Sequence, residues 1–254
     1  NEVARFQANQ FGALPGAQAI HVDYEGGIWV AWSNAITRID WPSRVSLFQE
    51  SQGIHESPIG VIENRLGIIA YTNKSFTLLK DDVRIAGFER MAPNYPWIHR
   101  AASHGEDFLA LTDDGLWSSQ GRRLAFPKRS VFSYFVSPAR PDEMLLGLRF
   151  GLACIQNVGA NWVENGVRDD VSFDVLGIAR EPGGTIWLSS NLGRVARLIP
   201  KPGSDVLTDA EMVEFDGDDG VPAGELDLKL IGGEAHIGSP GGFLHFADGR
   251  FEPS

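Results

Sequence analysis

Six histidines and 33 acidic residues are the groups in this chain best able to bind a metal or move a proton, and their spacing argues against both roles. His55 begins an HES triplet with no second histidine a helical turn later, and Pro58 blocks a helix there, so the triplet reads as a polar turn. His99 and His104 form one pair and His236 and His245 another, neither with a carboxylate at a ligand spacing, so zinc is not expected. The segment FDGDDG at 215–220 offers Asp216, Asp218 and Asp219 as hard oxygen donors. Gly220 then takes the fifth position of a calcium loop and no glutamate takes the twelfth, which leaves an acidic turn. No G-x-S-x-G elbow is present, and Cys154 in GLACIQ is the only cysteine, a buried thiol without a disulfide partner in the chain. No catalytic residue, metal or cofactor is therefore assigned.

The remaining chemistry is recognition. Turns that precede each apolar run carry His55, Glu56, Tyr95, Trp97, His99, Tyr134, Asp174, Glu225 and Asp227. A second set of turns carries Asn34, Asn73, Lys74, Asp113, Asp114, Arg149 and Asn191. Aromatic faces beside hydrogen-bonding groups suit a small polar ligand such as a saccharide. The candidate ligand-binding residues are His55, Glu56, Lys74, Tyr95, Trp97, His99, Tyr134, Arg149, Asp174, Glu225 and Asp227.

These turns need a frame, and the frame is a repeat. The line IHVDYEGGIWVAWSNAITRID at 20–40 returns as LGIAREPGGTIWLSSNLGRVARL at 176–198, each copy a strand, an acidic or glycine turn, a strand centred on Trp, a polar turn and a third strand. Weaker copies place Ile69, Leu109, Leu145 and His236 level with Trp29 and Trp187, about 40 residues apart, the length of a four-stranded propeller blade. A second series, Phe6, Phe48, Phe88, Phe126, Trp162 and Phe215, keeps that period and marks the outermost strand of each unit. The pattern predicts an all-β fold, one β-propeller domain over 1–254 with six blades of four antiparallel strands. RFQANQ at 5–10 and RFEPS at 250–254 resemble one another, and hiding both free edges favours a ring closed by the N-terminal strand, with RFEPS displaced.

Charge narrows the partners. A net charge of −11, with basic residues scattered along the chain, argues against nucleic acid despite RSVFSYF following PKR. NKS at 73–75 is a formal glycosylation acceptor, relevant only to export through an ER. With no apolar run long enough to span a bilayer, membrane contact would come through segments outside this chain.

The stretch FGALPGAQAIHVDYEGGIWVAWSNAITRID resembles the two-component regulator propeller repeat, with Leu14, Pro15, Asp23, Gly27, Trp29 and Arg38 on its marked positions. Gly184, Trp187, Gly193 and Arg197 match it again, and residues 215–246 resemble its late repeats. The resemblance implies a segment of a longer bacterial receptor, a hybrid histidine kinase or diguanylate cyclase, located on the periplasmic or extracellular side of the inner membrane. It implies a non-catalytic sensory or interaction role, with homodimerisation through the parent receptor. The alternatives are a propeller enzyme, a lyase or glycosidase with its site at the channel mouth, and a pure assembly scaffold.

Overall fold

The computed structural model describes residues 17–40, 44–82, 85–91, 94–104, 107–159, 161–201, 206–239 and 241–254. The chain divides into two compact units, residues 1–123 and 124–254. Within the first, β1 (Ala17–Val22), β2 (Ile28–Trp32), β3 (Ile36–Asp40) and β4 (Arg44–Phe48) form sheet one. Sheet two is β5 (Gly60–Asn64), β6 (Gly67–Tyr71), β7 (Phe76–Asp82) and β8 (Ile85–Arg90). Sheet three is β9 (Ile98–His104), β10 (Asp107–Thr112), β11 (Gly115–Ser118) and β12 (Arg123–Ala125). The second unit repeats the plan. Sheet four is β13 (Val131–Ser137), β14 (Arg140–Leu148), β15 (Gly151–Val158) and β16 (Asn161–Arg168). Sheet five is β17 (Gly177–Arg180), β18 (Ile186–Ser189), β19 (Val195–Ile199) and β20 (Glu211–Phe215), with a short helix α1 (Val206–Asp209) before its last strand. Sheet six is β21 (Asp227–Ile231), β22 (Glu234–Ser239), β23 (Gly242–Ala247) and β24 (Arg250–Pro253).

Every sheet is an antiparallel meander in chain order, as the repeat predicts. Trp29, Ile69, Leu109, Leu145, Trp187 and His236 each lie in the second strand of their sheet, so the alignment also holds for the copies that lack Trp. Within each unit the first strands of consecutive sheets lie side by side: β1 against β5, β5 against β9, β13 against β17 and β17 against β21. Among the described residues no helix is long and apolar enough to cross a membrane.

The junction of sheets one and two and that of sheets five and six have the same construction. At the first, Trp29 stacks on Phe48 with centroids 5.9 Å apart, and Phe48 meets Phe88 of the next sheet edge-on at 5.3 Å. At the second, Trp187 lies 6.0 Å from Phe215, and Phe215 meets Phe251 edge-on at 5.7 Å. Each Phe is followed by a 3-10 turn closed by a reciprocal capping box, Glu50–Gln52 and Gly217–Asp219, ending in a left-handed glycine. Gly53 and Gly220 take φ of 92° and 86°, and a β-carbon on either would collide with the backbone carbonyl of Phe88 or Phe251. FDGDDG is thus a structural turn: Asp216 accepts from the Asp218 amide at 3.0 Å, and Asp219 accepts from the Asp216 amide at 3.0 Å.

The expected closure by the N-terminal strand is overturned. RFEP is no displaced tail but β24, the fourth strand of sheet six, paired with β23 from Ala247↔Arg250 to Leu244↔Pro253. The reason is local. Asp248 and Gly249 take φ of 49° and 87°, the two positive values a tight hairpin turn needs, so the chain returns at once on its own sheet. Phe251, buried at 4 % exposure, fills the slot assigned to Phe6, and RFQANQ with Phe6 lies outside the described residues. The outer-strand aromatics Phe48, Phe88, Trp162 and Phe215 stand in β4, β8, β16 and β20, while Phe126 falls just after β12.

Phe251→Ala should cost about 3–5 kcal/mol in urea unfolding. Gly220→Ala should cost about 1–3 kcal/mol through its left-handed backbone and the blocked approach to Phe251. An unchanged midpoint for both would contradict the junction described above.

Candidate functional site

The entering segment of sheet two, Ile54 to Ile59, begins where the capped turn at Glu50–Gln52 releases the chain. Ile54 is buried in the junction beside Trp29 and Phe48, and Pro58 is buried too, so the exposed residues between them, His55, Glu56 and Ser57, are held out from two fixed points. They border two adjoining cavities within the first unit. The outer one, about 520 Å³, runs from the Ser33–Asn34 turn of sheet one past Gln49, Glu50 and Ser51 to His55 and Glu56. An inner one, about 260 Å³, has an apolar floor of Ile54, Pro58, Ala70 and Phe88 and a polar wall of Glu56, Thr72, Ser75 and Arg90.

Glu56 is the organised group. Its Oε2 accepts from Thr72 Oγ1 at 2.8 Å and from Ser75 Oγ at 3.2 Å, both on the turn between β6 and β7. Thr72 Oγ1 in turn accepts the backbone amides of Lys74 and Ser75, each at 3.1 Å, which fixes the hydroxyl that fixes the carboxylate. Among the described residues Oε1 makes no hydrogen bond, leaving it open to a ligand. The Thr72 hydroxyl lowers the Glu56 pKa; burial opposes it, and the Ser75 hydroxyl with the charges of Arg90 and Lys74 adds to the lowering. At neutral pH Glu56 is a fixed acceptor. A carboxylate doing general acid catalysis needs the opposite shift.

Of the eleven candidates, His55, Glu56 and Lys74 gather here, Lys74 being exposed on the turn that holds Glu56. Sheet three, in the same unit, carries a second group. His99 Nε2 lies 2.7 Å from Asp113 Oδ1, and the Trp97 carbonyl, on a half-exposed residue, accepts from the Asp113 amide at 3.0 Å. The Ile98 amide donates to the Asn73 carbonyl at 2.8 Å, tying that strand to the turn beneath Glu56. Tyr95 is buried in the core. Its hydroxyl donates to the carbonyls of Ser118 and Ser119 at 3.1 and 2.7 Å, and burial pushes its pKa up, so it supports the fold and presents nothing to a ligand.

The candidates in the second unit form no common pocket among the described residues. Tyr134 is half-buried in β13, and Arg149 is exposed with its guanidinium 5.8 Å from the Phe132 ring. Glu225 is exposed, and Asp227 opens β21 in an ion pair with Lys229 at 3.1 Å. Asp174 has a buried Oδ1 with no hydrogen-bond partner among the described residues. Backbone anchors flank two of them: Ser133 Oγ donates to the Val175 carbonyl at 2.8 Å and Ser189 Oγ to the Leu226 carbonyl at 3.1 Å. His99, Tyr134 and Asp227 stand inside first strands, where the sequence places them in turns. The sequence reading missed Thr72 and Ser75; the T-N-K-S turn after an apolar strand was their signal, since Ser and Thr hydroxyls close such turns. Among the described residues no group of three or more His, Cys, Asp or Glu side chains could hold a metal ion.

No family model and no curated protein matches this chain. Solved structures do. A streptogramin B lyase is similar at 14 % identity over 94 % of this chain and 82 % of that one, TM-score 0.59. A catalytically inactive histidine-to-alanine variant of virginiamycin B lyase from Staphylococcus aureus, with quinupristin, is similar at 11 % identity over 92 % and 82 %, TM-score 0.64. The WD40 β-propeller domain of Doa1 is similar at 11 % identity over 88 % and 75 %, TM-score 0.58. At such identities the likeness is one of fold, and that fold is the β-propeller. The propeller in the sequence resemblance is supported; no matching family model supports the two-component regulator context.

Thr72→Val should raise the Glu56 pKa back towards the ordinary carboxylate range, read by carbon-detected NMR titration. Because the folded pKa is the depressed one, the stability linked to Glu56 is present above the ordinary carboxylate pKa and fades as pH falls through the lowered value. Thr72→Val should shrink that acid-side loss, and an unmoved titration would show that Thr72 does not hold the carboxylate.

Proposed function

We propose that this chain is a non-catalytic sensory or interaction propeller of a bacterial receptor, facing the periplasm or the cell exterior. It takes a small polar ligand such as a saccharide in the His55–Glu56 cleft. The observation that carries this reading is Glu56, a carboxylate kept ionised and immobile by Thr72 and Ser75, with one oxygen open beside an apolar floor. A fixed acceptor beside an apolar surface matches a molecule that has hydroxyl groups on its edge and C–H groups on its face. Membrane attachment and homodimerisation would come from the parent receptor outside this chain.

Calorimetric titration with a panel of neutral mono- and disaccharides tests it. Glu56→Gln keeps the shape and removes the charge-assisted hydrogen bond, and should weaken the binding sugar by roughly 10- to 100-fold. No binding across the panel, or an unchanged affinity in Glu56→Gln, would sink the proposal.

A second reading, catalysis by a lyase, draws on the 2.7 Å contact of His99 with Asp113, an arrangement that orients an imidazole as a base. Consumption of quinupristin by the parent chain, lost in His99→Ala, would favour it over the binding reading.

A further inference from the structure

Sheets one and five share an acidic residue, a Trp and an Arg at matching places, and the two copies differ in one respect that creates a site. In sheet one, Trp29 Nε1 donates to Asp23 Oδ2 at 2.8 Å, and the Arg38 guanidinium lies 5.5 Å from the Trp29 ring. Arg38 is ringed by carboxylates, Asp23 at 3.4 Å, Glu25 at 2.8 Å and Asp40 at 2.9 Å, although its Nε, like that of Arg197, makes no hydrogen bond among the described residues. In sheet five, Trp187 Nε1 donates to Glu181 Oε1 at 2.9 Å, and Arg197 lies 5.5 Å from the Trp187 ring. The strand registers place Gly183 where sheet one has Glu25, and Ile199 where it has Asp40.

The third carboxylate is lost for a steric reason. Gly27 has no side chain, and a β-carbon there would come within 2.7 Å of Asp23 Oδ2 and 2.9 Å of Arg38 Nε. Its counterpart is Thr185, so Arg197 cannot close on Glu181 as Arg38 closes on Asp23. Glu181 Oε1 instead accepts the Ala235 amide at 3.2 Å as well as the Trp187 indole. Among the described residues Arg197 forms no ion pair, and its Nε is buried without a hydrogen-bond partner. Its guanidinium is held by the rings of Trp187, Phe215 and Phe246, the last at 4.6 Å. Ring contacts cover the faces of a guanidinium and leave its N–H edge to an in-plane acceptor.

That Arg borders a cavity of about 370 Å³ within the second unit, walled by Glu181, Trp187, Glu234, His245 and Phe246. His245 Nδ1 is likewise buried with no partner among the described residues. We propose that this cavity binds a small organic carboxylate, whose carboxylate takes on Arg197 the place that Glu25 and Asp40 take on Arg38. Glu234 and Glu181 would repel a bare anion, so the ligand also carries hydrogen-bond donors to face them. A hydroxy acid of the sugar-acid type and an α-amino acid both meet that description, and they share the carboxylate that Arg197 reads. This site is separate from the His55–Glu56 cleft and does not depend on its function.

Calorimetric titration of the full chain with sodium D-glucuronate and with L-alanine tests the proposal, with D-glucose and alanine amide as counterparts lacking the carboxylate. At least one acid should bind in the millimolar range or tighter, and its counterpart about tenfold more weakly or worse. Whichever acid binds identifies the source. Arg197→Lys should lose about tenfold, since an ammonium cannot make the forked contact. The deciding variant is Gly183→Glu with Ile199→Asp, which rebuilds the ion pairs of sheet one; a β-carbon at Gly183 meets only open space. It should abolish binding without lowering the melting temperature, and it leaves the His55–Glu56 cleft untouched. Binding of neither acid, equal binding of the counterparts that lack the carboxylate, or undiminished affinity in the rebuilt variant would each overturn the proposal.

Discussion

At the junction of sheets one and two and again at that of sheets five and six, an aromatic relay runs from Trp to Phe to the Phe of the next sheet, and the course of the chain that follows depends on it. Phe48 can meet Phe88 only because the chain leaves β4 in a tight capped turn whose last residue has no side chain to strike the Phe88 carbonyl. Ile54 then enters the same apolar cluster as Trp29, and the next two residues are His55 and Glu56. Thus the packing that joins two sheets also sets the height at which the candidate ligand-binding residues leave the core. At the junction of sheets five and six the same sequence of events runs from Phe215 through Gly220 to Val221. A buried aromatic cluster is suited to that task because ring pairs favour particular geometries as well as burying area.

The repeat holds its geometry while its chemistry varies. Asp23, buried at 7 % exposure, is pushed up by burial, yet hydrogen bonds from the Trp29 indole and the Gly27 amide, with the charge of Arg38, outweigh that and hold its pKa below the usual value. It therefore closes its turn as an ion and anchors the Trp. Glu181, one methylene longer, anchors Trp187 in the same way but reaches across to the Ala235 amide, adding a bond to the next sheet. The structural half of the motif, carboxylate to indole, survives in both copies. The half that pairs Arg with carboxylates does not, and the cavity stands where those pairs are missing.

What the sequence revealed follows from how far apart the deciding atoms lie. The second strand was legible where Ile69, Leu109 or Leu145 replaces Trp, because a strand packed on both faces keeps a dense apolar run, whereas β22 with His236 buries only Ala235 and Ile237 and is marked by the period. Strand count and order were legible for the same reason. The last strand was misread although HFADGRFE carries an Asp-Gly pair, a strong hairpin signal. Hiding of free edges and local turn chemistry point to different closing strands here, and the local hairpin prevails. The site was half legible. His55 and Glu56 could be picked as polar residues emerging ahead of an apolar run, whereas Tyr95, of similar position, is turned inward by carbonyls of a different strand pair that no local pattern announces.

The entering segments also show why so few of the polar turn residues are held in one place. A side chain binds well when its own freedom is already spent, and a loop residue meets that condition only if neighbouring groups hold it. Glu56 meets it through Thr72 and Ser75, which are themselves fixed by backbone amides of the turn they close. Val175 and Leu226 have their carbonyls anchored by Ser133 and Ser189, so the backbone beside Asp174 and Glu225 is fixed as well. Glu225 nevertheless has no hydroxyl pair holding its carboxylate among the described residues. Backbone anchoring alone positions a segment; hydroxyls that grip the carboxylate turn a solvated turn residue into a preorganised acceptor. That second layer sets Glu56 apart from the other acidic candidates.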